Sequence, residues 1–381
     1  MIGVANGHQR GLWLSLAQYL GLLAGVIAGA SLAPVISDAL GIQGGTVRPL
    51  GAALVLVVFG SIGSSLGYWI GRPLRSGLLR AHNHPRELES LAGALFSGLA
   101  VLSVAWFLGL SFDRTPIQQV AGLIQRSVVL RRVDQVFPRP PSFLTGVERV
   151  IASVPFPQTF AGLEPQLPGA LPIPANVNTP GVQAAQRSTF RVESRGCGGL
   201  VTGSAFPYAP NYLVTNAHVV SGTARTSITS EATGTIQVRV VLFDAQRDVA
   251  VLYAPGLAAQ PLQMAAAGRS TEGAVIGYPG GGAEDVEPAV IDGSVRAQGR
   301  DIYNQNLVER QIWVVEATVR PGNSGGPLVD LRGRAVGLIF AASSSEPHRA
   351  YALTADEIGG DLQQAAGSTT AINLSQYPCA V

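Results

Sequence analysis

The sequence predicts two unlike parts: an α-helical transmembrane module, then an all-β domain of sandwich or barrel type. Three observations predict this division. The first third holds three long stretches without a charged residue, residues 138–180 are crowded with proline, and the remainder is a succession of short β-rich runs separated by turn residues. A chain of 381 residues has room for two domains of ordinary size.

No charge lies between Arg10 and Asp38, between Arg48 and Arg72, or between Glu89 and Asp113. Each gap exceeds the roughly 20 apolar residues that cross a bilayer as a helix. Three spans are therefore expected over about 11–37, 49–71 and 90–112, within a module covering 1–114. Gly21, Gly25 and Gly29 in the first span, and Gly63 and Gly67 in the second, recur at helical spacing, which suits close packing in lipid. The loop between the second and third spans carries Arg72, Arg75, Arg80 and Arg86, whereas the loop before it has only Asp38 and Arg48. The positive-inside rule then places 72–87 and Arg10 in the cytoplasm and everything after the third span outside. Arg126, Arg131 and Arg132 argue the other way, but long domains translocate largely regardless of charge. The first span is too long for a cleavable signal and runs on into further spans.

Residues 115–135 alternate at helical spacing and predict an amphipathic juxtamembrane helix. Ten of the 25 prolines fall within 138–180. Such a segment, filling the linker 115–182 with that helix, serves either as a semi-rigid spacer or as a cover over the next domain. The domain itself is expected over 183–381. Its β-rich runs are 189–192, 199–206, 212–215, 236–243, 249–253, 274–276, 312–318, 326–329, 335–341 and 349–353, with a short helix over 354–366. Roughly 200 residues are enough to bury a core.

The net charge of +2 says little about partners; no nucleic-acid partner is expected, and the oligomeric state is left open. All 26 basic residues are arginine, so a Ser–Lys dyad is excluded. Cys197 and Cys379 both fall in the exported part. In an oxidising compartment such a pair reads as a disulfide tying the first strand of the domain to its tail, with two separate thiols as the alternative.

The residues from Arg320 to Leu328 read Arg-Pro-Gly-Asn-Ser-Gly-Gly-Pro-Leu between two apolar runs. Glycines there let the backbone turn so that Ser324 faces a substrate and the amides of Gly322 and Ser324 converge as an oxyanion hole. A serine needs a base within hydrogen-bond reach. Of the five histidines, His8, His82 and His84 lie on the other side of the membrane. His218 ends an apolar strand before a glycine turn. His348 sits in a polar loop and suits a surface or subsite role. A carboxylate must hold the imidazole tautomer. Asp248, directly before an apolar strand, is preferred to Asp244, which suits a turn.

The blocks Thr215-Asn216-Ala217-His218, Asp248-Val249-Ala250-Val251-Leu252 and Gly322-Asn323-Ser324-Gly325-Gly326-Pro327-Leu328 together resemble those of bacterial chymotrypsin-like (trypsin-fold) serine proteases. The resemblance covers about 183–381. It implies a chymotrypsin-like double β-barrel of two six-stranded barrels, with His218 and Asp248 from the first and Ser324 from the second. It further implies that the strand 336–341, with Gly337, Leu338 and Ile339, lines a groove that pairs with an extended substrate, and that Thr318 lies near the floor of the primary pocket. No acid is expected there, which argues against a strong Arg/Lys preference; His348 is a candidate contact for an acidic or polar side chain. The implied reaction is peptide hydrolysis through an acyl-enzyme, with no metal or cofactor.

Gly7-His8-Gln9-Arg10-Gly11 before a Leu/Ala/Gly-rich span resembles the colicin V production (CvpA-like) membrane module. Joined to an exported protease domain, it resembles the actinobacterial acid-resistance membrane serine proteases of the MarP type. That resemblance implies protein substrates in the cell envelope, a multi-pass bacterial plasma-membrane anchor, and a role in acid or oxidative stress. The family typically has four spans, whereas this chain shows three and begins where a first would have ended. Two alternatives remain. One is an HtrA-like quality-control protease, although only 57 residues follow Ser324, enough to finish the barrel. The other is a non-catalytic membrane scaffold.

Overall fold

The computed structural model describes residue 8 and residues 11–39, 47–81, 86–112, 123–136, 159–164, 167 and 169–380. The chain divides into two compact units, residues 1–154 and 155–381.

Three long helices make up most of the first unit: α1 (Leu12–Ala39), α2 (Val47–Ala81) and α3 (Arg86–Phe112). Each contains a segment long and apolar enough to cross a membrane, over Leu12–Leu32, Leu54–Pro73 and Glu89–Trp106. Glycines bring α1 and α2 into backbone contact. A Cβ on Gly21 would strike the Gly63 carbonyl, one on Gly63 the Gly21 carbonyl, and one on Gly67 the Ala17 carbonyl. In lipid, such close approach and its van der Waals contact replace the hydrophobic effect as the source of helix association. Outward-facing Leu54, Val57, Ile62, Leu66, Leu91, Leu95 and Leu99 are exposed, as a lipid-facing surface requires. Tyr19 and Ser103 share a hydrogen bond of 2.8 Å between α1 and α3. Of the juxtamembrane helix, α4 (Val128–Val136) is described, and Trp106 donates to its Asp134 at 2.8 Å; residues 115–122 lie outside the described residues.

The second unit is two closed six-stranded antiparallel barrels. The first comprises β1 (Phe190–Gly196), β2 (Gly199–Ala209), β3 (Tyr212–Thr215), β4 (Thr223–Ser230), β5 (Gly234–Asp244) and β6 (Val249–Tyr253). The second comprises β7 (Glu272–Gly277), β8 (Asp285–Arg300), β9 (Leu307–Glu316), β10 (Pro327–Asp330), β11 (Ala335–Ala342) and β12 (Arg349–Thr354). Short helices α5 (Pro180–Gln186), α6 (Ala217–Val220) and α7 (Ala355–Gln364) flank them. Thr179 caps α5 and Thr354 caps α7, each accepting an amide N–H from the first turn. Alternating inward residues such as Phe190, Val192, Leu213, Ile228 and Leu252 fill the first barrel. Val275, Ile291, Val315, Leu328 and Ile339 fill the second.

Two strands absent from the sequence reading are β4 and β8. The β4 run is polar apart from Ile228, and β8 is interrupted by Pro288, Gly293 and several charges. Both are held by ladders on two sides rather than by propensity. The described part of the proline-rich segment covers the β unit: Ala161 donates to the Gln298 carbonyl, Thr179 to the Leu331 carbonyl, and Glu164 accepts from Ser343 at 2.6 Å.

Cys197 and Cys379 form a disulfide with their Cα atoms 5.7 Å apart across a sequence separation of 182 residues. Closing so long a loop stabilises by about 5 kcal/mol on the chain-entropy model. Reduction is therefore expected to lower the melting temperature of the 155–381 unit by about 10 °C, measured by calorimetry with and without reductant. An unchanged melting temperature would contradict the assignment of that stability to the bridge.

Candidate active site

His218 is presented by α6, a single helical turn that follows β3 directly, so the chain leaves the barrel wall at Asn216 and turns the ring toward the cleft. Asp248 ends the β5–β6 hairpin turn. It is fully buried and adopts a left-handed backbone conformation, φ 65°. Asp tolerates that region better than most residues. The conformation turns the carboxylate back onto α6, where both oxygens are used. Asp248 Oδ2 lies 2.7 Å from His218 Nδ1, and Oδ1 accepts the His218 backbone N–H at 2.9 Å. A carboxylate only accepts, so Nδ1 carries the proton and Nε2 is left as the basic nitrogen. Asn216 Nδ2 donates to the Asp248 carbonyl at 2.9 Å and fixes the turn. Asp244 has another place. Its Oδ1 accepts the amides of Gln246 and Arg247, and its Oδ2 pairs with the Arg247 guanidinium at 3.0 Å.

Ser324 comes from the loop between β9 and β10. The residue that holds this loop is Ser204 of β2, in the other barrel. The Ser204 amide donates to the Ser324 carbonyl at 2.7 Å, and its hydroxyl donates to the Gly322 carbonyl at 2.7 Å. That hydroxyl also accepts the Tyr278 amide at 3.0 Å, and the Ser204 carbonyl accepts Thr215 Oγ1 at 2.7 Å. Gly325, φ 84°, packs against the Ser204 carbonyl, Thr215 Oγ1 and the Asn216 amide, where a Cβ would collide. The loop thus packs against Asn216, two positions before His218 in the chain. Among the described residues no hydrogen bond joins Ser324 Oγ to the ring. Such bonds are often long without substrate and tighten when it binds.

The Pro321 carbonyl accepts the Gly280 N–H at 2.6 Å. That bond turns the Pro321–Gly322 peptide so that its carbonyl points at the Pro279–Gly281 turn and its N–H points away. Gly322, φ 102°, is packed on Tyr278 and Gly280 too closely for any side chain. Among the described residues, neither the Gly322 nor the Ser324 amide donates to a protein acceptor. Two such amides leave a pair of donors for a developing oxyanion.

The structure revises the expected groove wall. Gly337 and Leu338 pair with β10 on one edge and β12 on the other. Ile339 is likewise engaged, with its N–H on the Gly326 carbonyl and its carbonyl on the Gly325 N–H. No edge is free there, because β11 is a central strand up to that point. The edge opens only after Ile339, so Phe340, Ala341 and Ala342 are the residues left to meet an extended chain. Thr318 Oγ1 and His348 Nδ1 lie 3.0 Å apart, with Thr318 half-buried and His348 exposed. No group of three His, Cys, Asp or Glu among the described residues could hold a metal ion.

The comparisons agree in both units. Residues 203–338 match the trypsin-like peptidase domain, and residues 1–138 match the colicin V production protein family. The serine protease Rv3671c of Mycobacterium tuberculosis is 32% identical over 379 residues, covering 95% of this chain and 92% of that one. This chain belongs to the family of serine proteases that join a colicin V production module to a trypsin-like peptidase domain. The crystal structure of the Rv3671c protease in its active form aligns with a TM-score of 0.53 at 34% identity, over 57% of this chain and 99% of that one. The chloroplastic Do-like protease 1 of Arabidopsis thaliana is 31% identical, but over only 43% of this chain and 39% of its own length. The protein is thus a serine endopeptidase with a chymotrypsin-like double barrel and membrane-spanning helices. Ser204, which sequence reasoning missed, left no local signal, since the Ser324 and Gly322 carbonyls it holds lie more than a hundred residues away.

Beside the Pro279–Gly281 turn is a cavity of about 710 Å³ lined by Gln186, Arg187, Arg191, Tyr278 and Glu284. Burial pushes the Glu284 carboxyl up to about 7, against hydrogen bonds from Gln186 and Tyr278 and with help from Glu231. Burial likewise raises Asp361 to about 6, with Asp244 and Glu357 adding and Arg247 opposing. Both carboxyls bind protons more tightly when folded than when unfolded. Stability is therefore fully present at acid pH and falls as pH rises from the ordinary carboxylate range through about 6 to 7. The 155–381 unit should melt higher at about pH 5 than at about pH 7.5, and Glu284→Gln should shrink that difference. A Glu284→Gln variant with the full wild-type pH dependence would contradict this account.

Proposed function

We propose that this enzyme hydrolyses peptide bonds of extracytoplasmic proteins by a His218–Asp248–Ser324 triad through an acyl-enzyme. The single observation that carries the reading is the double hold of Asp248 on His218 beside a serine loop fixed to the same barrel by Ser204. Ser324 Oγ attacks the substrate carbonyl while its proton passes to His218 Nε2. The amides of Gly322 and Ser324 take the negative charge that develops on the carbonyl oxygen. Asp248 keeps the ring in the required tautomer and balances the imidazolium. As the tetrahedral intermediate collapses, the C–N bond breaks and His218 gives its proton to the leaving amine. Water then repeats the sequence on the ester and frees Ser324.

The Thr318–His348 pair, polar and without an acid, supports a primary pocket that favours polar or acidic side chains over Arg or Lys. Arginines at 72, 75 and 80 near the end of α2, and Arg86 at the start of α3, support a cytoplasmic side there, with the protease domain on the outer face of the plasma membrane. Similarity to Rv3671c across both units, against protease-only similarity to the Do-like enzymes, favours the acid- and oxidative-stress role of the MarP type over general quality control. Comparing envelope-protein N-termini between cells carrying wild type and Ser324→Ala tests that role and names the substrates.

Steady-state hydrolysis of a peptide library tests the triad. Asp248→Asn should lower kcat by about 10⁴-fold, while Asp244→Ala should change it by less than about tenfold. Equal losses in the two variants would sink the assignment.

A further inference from the structure

Arg310 of β9 is among the largest fully buried side chains of the protein, at 1% exposure. Burial of a guanidinium is costly unless its donors are met and its charge is compensated. Here the donors are met incompletely. Nε donates to the Gln246 carbonyl at 2.8 Å and Nη2 to the Arg300 carbonyl at 2.9 Å, while Nη1 is buried without a partner. The guanidinium also lies 5.9 Å from the centre of the Phe340 ring.

These contacts place a cation of the second barrel under the catalytic parts of both barrels. Gln246 belongs to the turn that ends in Asp248, and the neighbouring Ala245 carbonyl is held by the Ile302 amide at 3.2 Å. Phe340 follows Ile339, whose N–H and carbonyl bond the glycines next to Ser324. Four carboxylates act electrostatically on Arg310: Asp248 most, then Glu357, Asp244 and Asp301. The other three have their own partners. Asp244 and Glu357 pair with Arg247, and Asp301 accepts the amides of Tyr303, Gln305 and Asn306. Among the described residues the Asp248 carboxylate bonds only to His218, and no arginine forms an ion pair with it.

We propose that Arg310 is a positioning residue for the hydrolysis, clamping the Asp248 turn to the second barrel and holding a permanent positive charge behind the Asp248–His218 pair. The proposal rests on the triad reading above. The clamp sets the geometry of the carboxylate, and small misplacements of such groups are costly in rate. The charge acts separately. A positive charge behind the pair disfavours a second one on the imidazole, so removing it should make that ring easier to protonate. Burial lowers the proton affinity of the guanidinium and Asp248 opposes that, which leaves Arg310 charged throughout the working range.

The test is the pH dependence of kcat/KM for the full-length protein in detergent, with wild type, Arg310→Met, Arg310→Gln, Arg310→Lys and Ser324→Ala side by side. In Arg310→Met, kcat should fall roughly tenfold with KM within about twofold, and the acid limb should move up by about one pH unit. Arg310→Gln, which keeps a donor for the Gln246 carbonyl, should show the same shift with a smaller loss of kcat. Arg310→Lys should return the limb to the wild-type position, a rescue that a purely structural role would not produce. A limb that stays in place in folded Arg310→Met or Arg310→Gln overturns the proposal, as does failure of both uncharged variants to fold. Wild-type turnover in Ser324→Ala would instead overturn the triad itself.

Discussion

The geometry of the candidate site depends on how two separately closed barrels are joined, and beside Ser324 the join is made by Ser204. Each barrel satisfies its own ladder, so nothing in strand pairing fixes one against the other. Ser204 spends its amide and hydroxyl on the carbonyls of Ser324 and Gly322, and its own carbonyl on Thr215 at the end of the strand that leads to His218. Each such bond is worth about 1 kcal/mol net, but leaving any of these buried groups unmet would cost more. The bonds therefore serve geometry more than stability. They tie the backbone at Gly322 and Ser324 to the barrel that carries His218.

The same logic repeats on the acid side of the site. The Asp248 turn belongs to the first barrel, yet its carbonyls are held by Ile302 and Arg310 of the second. Positive φ values at Asp248, Gly322 and Gly325 show where the backbone departs from its easy conformations to bring the groups together. Glycine takes such values freely, whereas a non-glycine residue such as Asp248 persists there only where the surroundings over-determine it. Here the surroundings are hydrogen bonds that cross the barrel boundary.

Much of this could be read in the sequence. Tyr212–Thr215 and Val249–Tyr253 are strands over the very residues their β-branched runs mark out, because both are central and apolar on both faces. The His, Asp and Ser blocks were legible for the same reason: each sits at the end of such a run. The polar strand Thr223–Ser230 was not, since its pairing partners rather than its own residues make it a strand. Nor could sequence tell that Gly337, Leu338 and Ile339 lie inside the barrel with both edges paired, while the open edge begins at Phe340. Ser204 and Arg310 were invisible because a lone serine or arginine carries no pattern, and their roles arise from contacts across as many as 120 or so positions in the chain.

The central claim is that Ser324 alone, activated within this cross-barrel frame, is the nucleophile. The most direct measurement is intact-mass and peptide-map analysis of the full-length protein after exposure to a fluorophosphonate. The account predicts one adduct per chain, on Ser324, absent from Ser324→Ala and strongly slowed in a folded His218→Ala variant. An adduct on another residue, or equal labelling of folded Ser324→Ala, would contradict it.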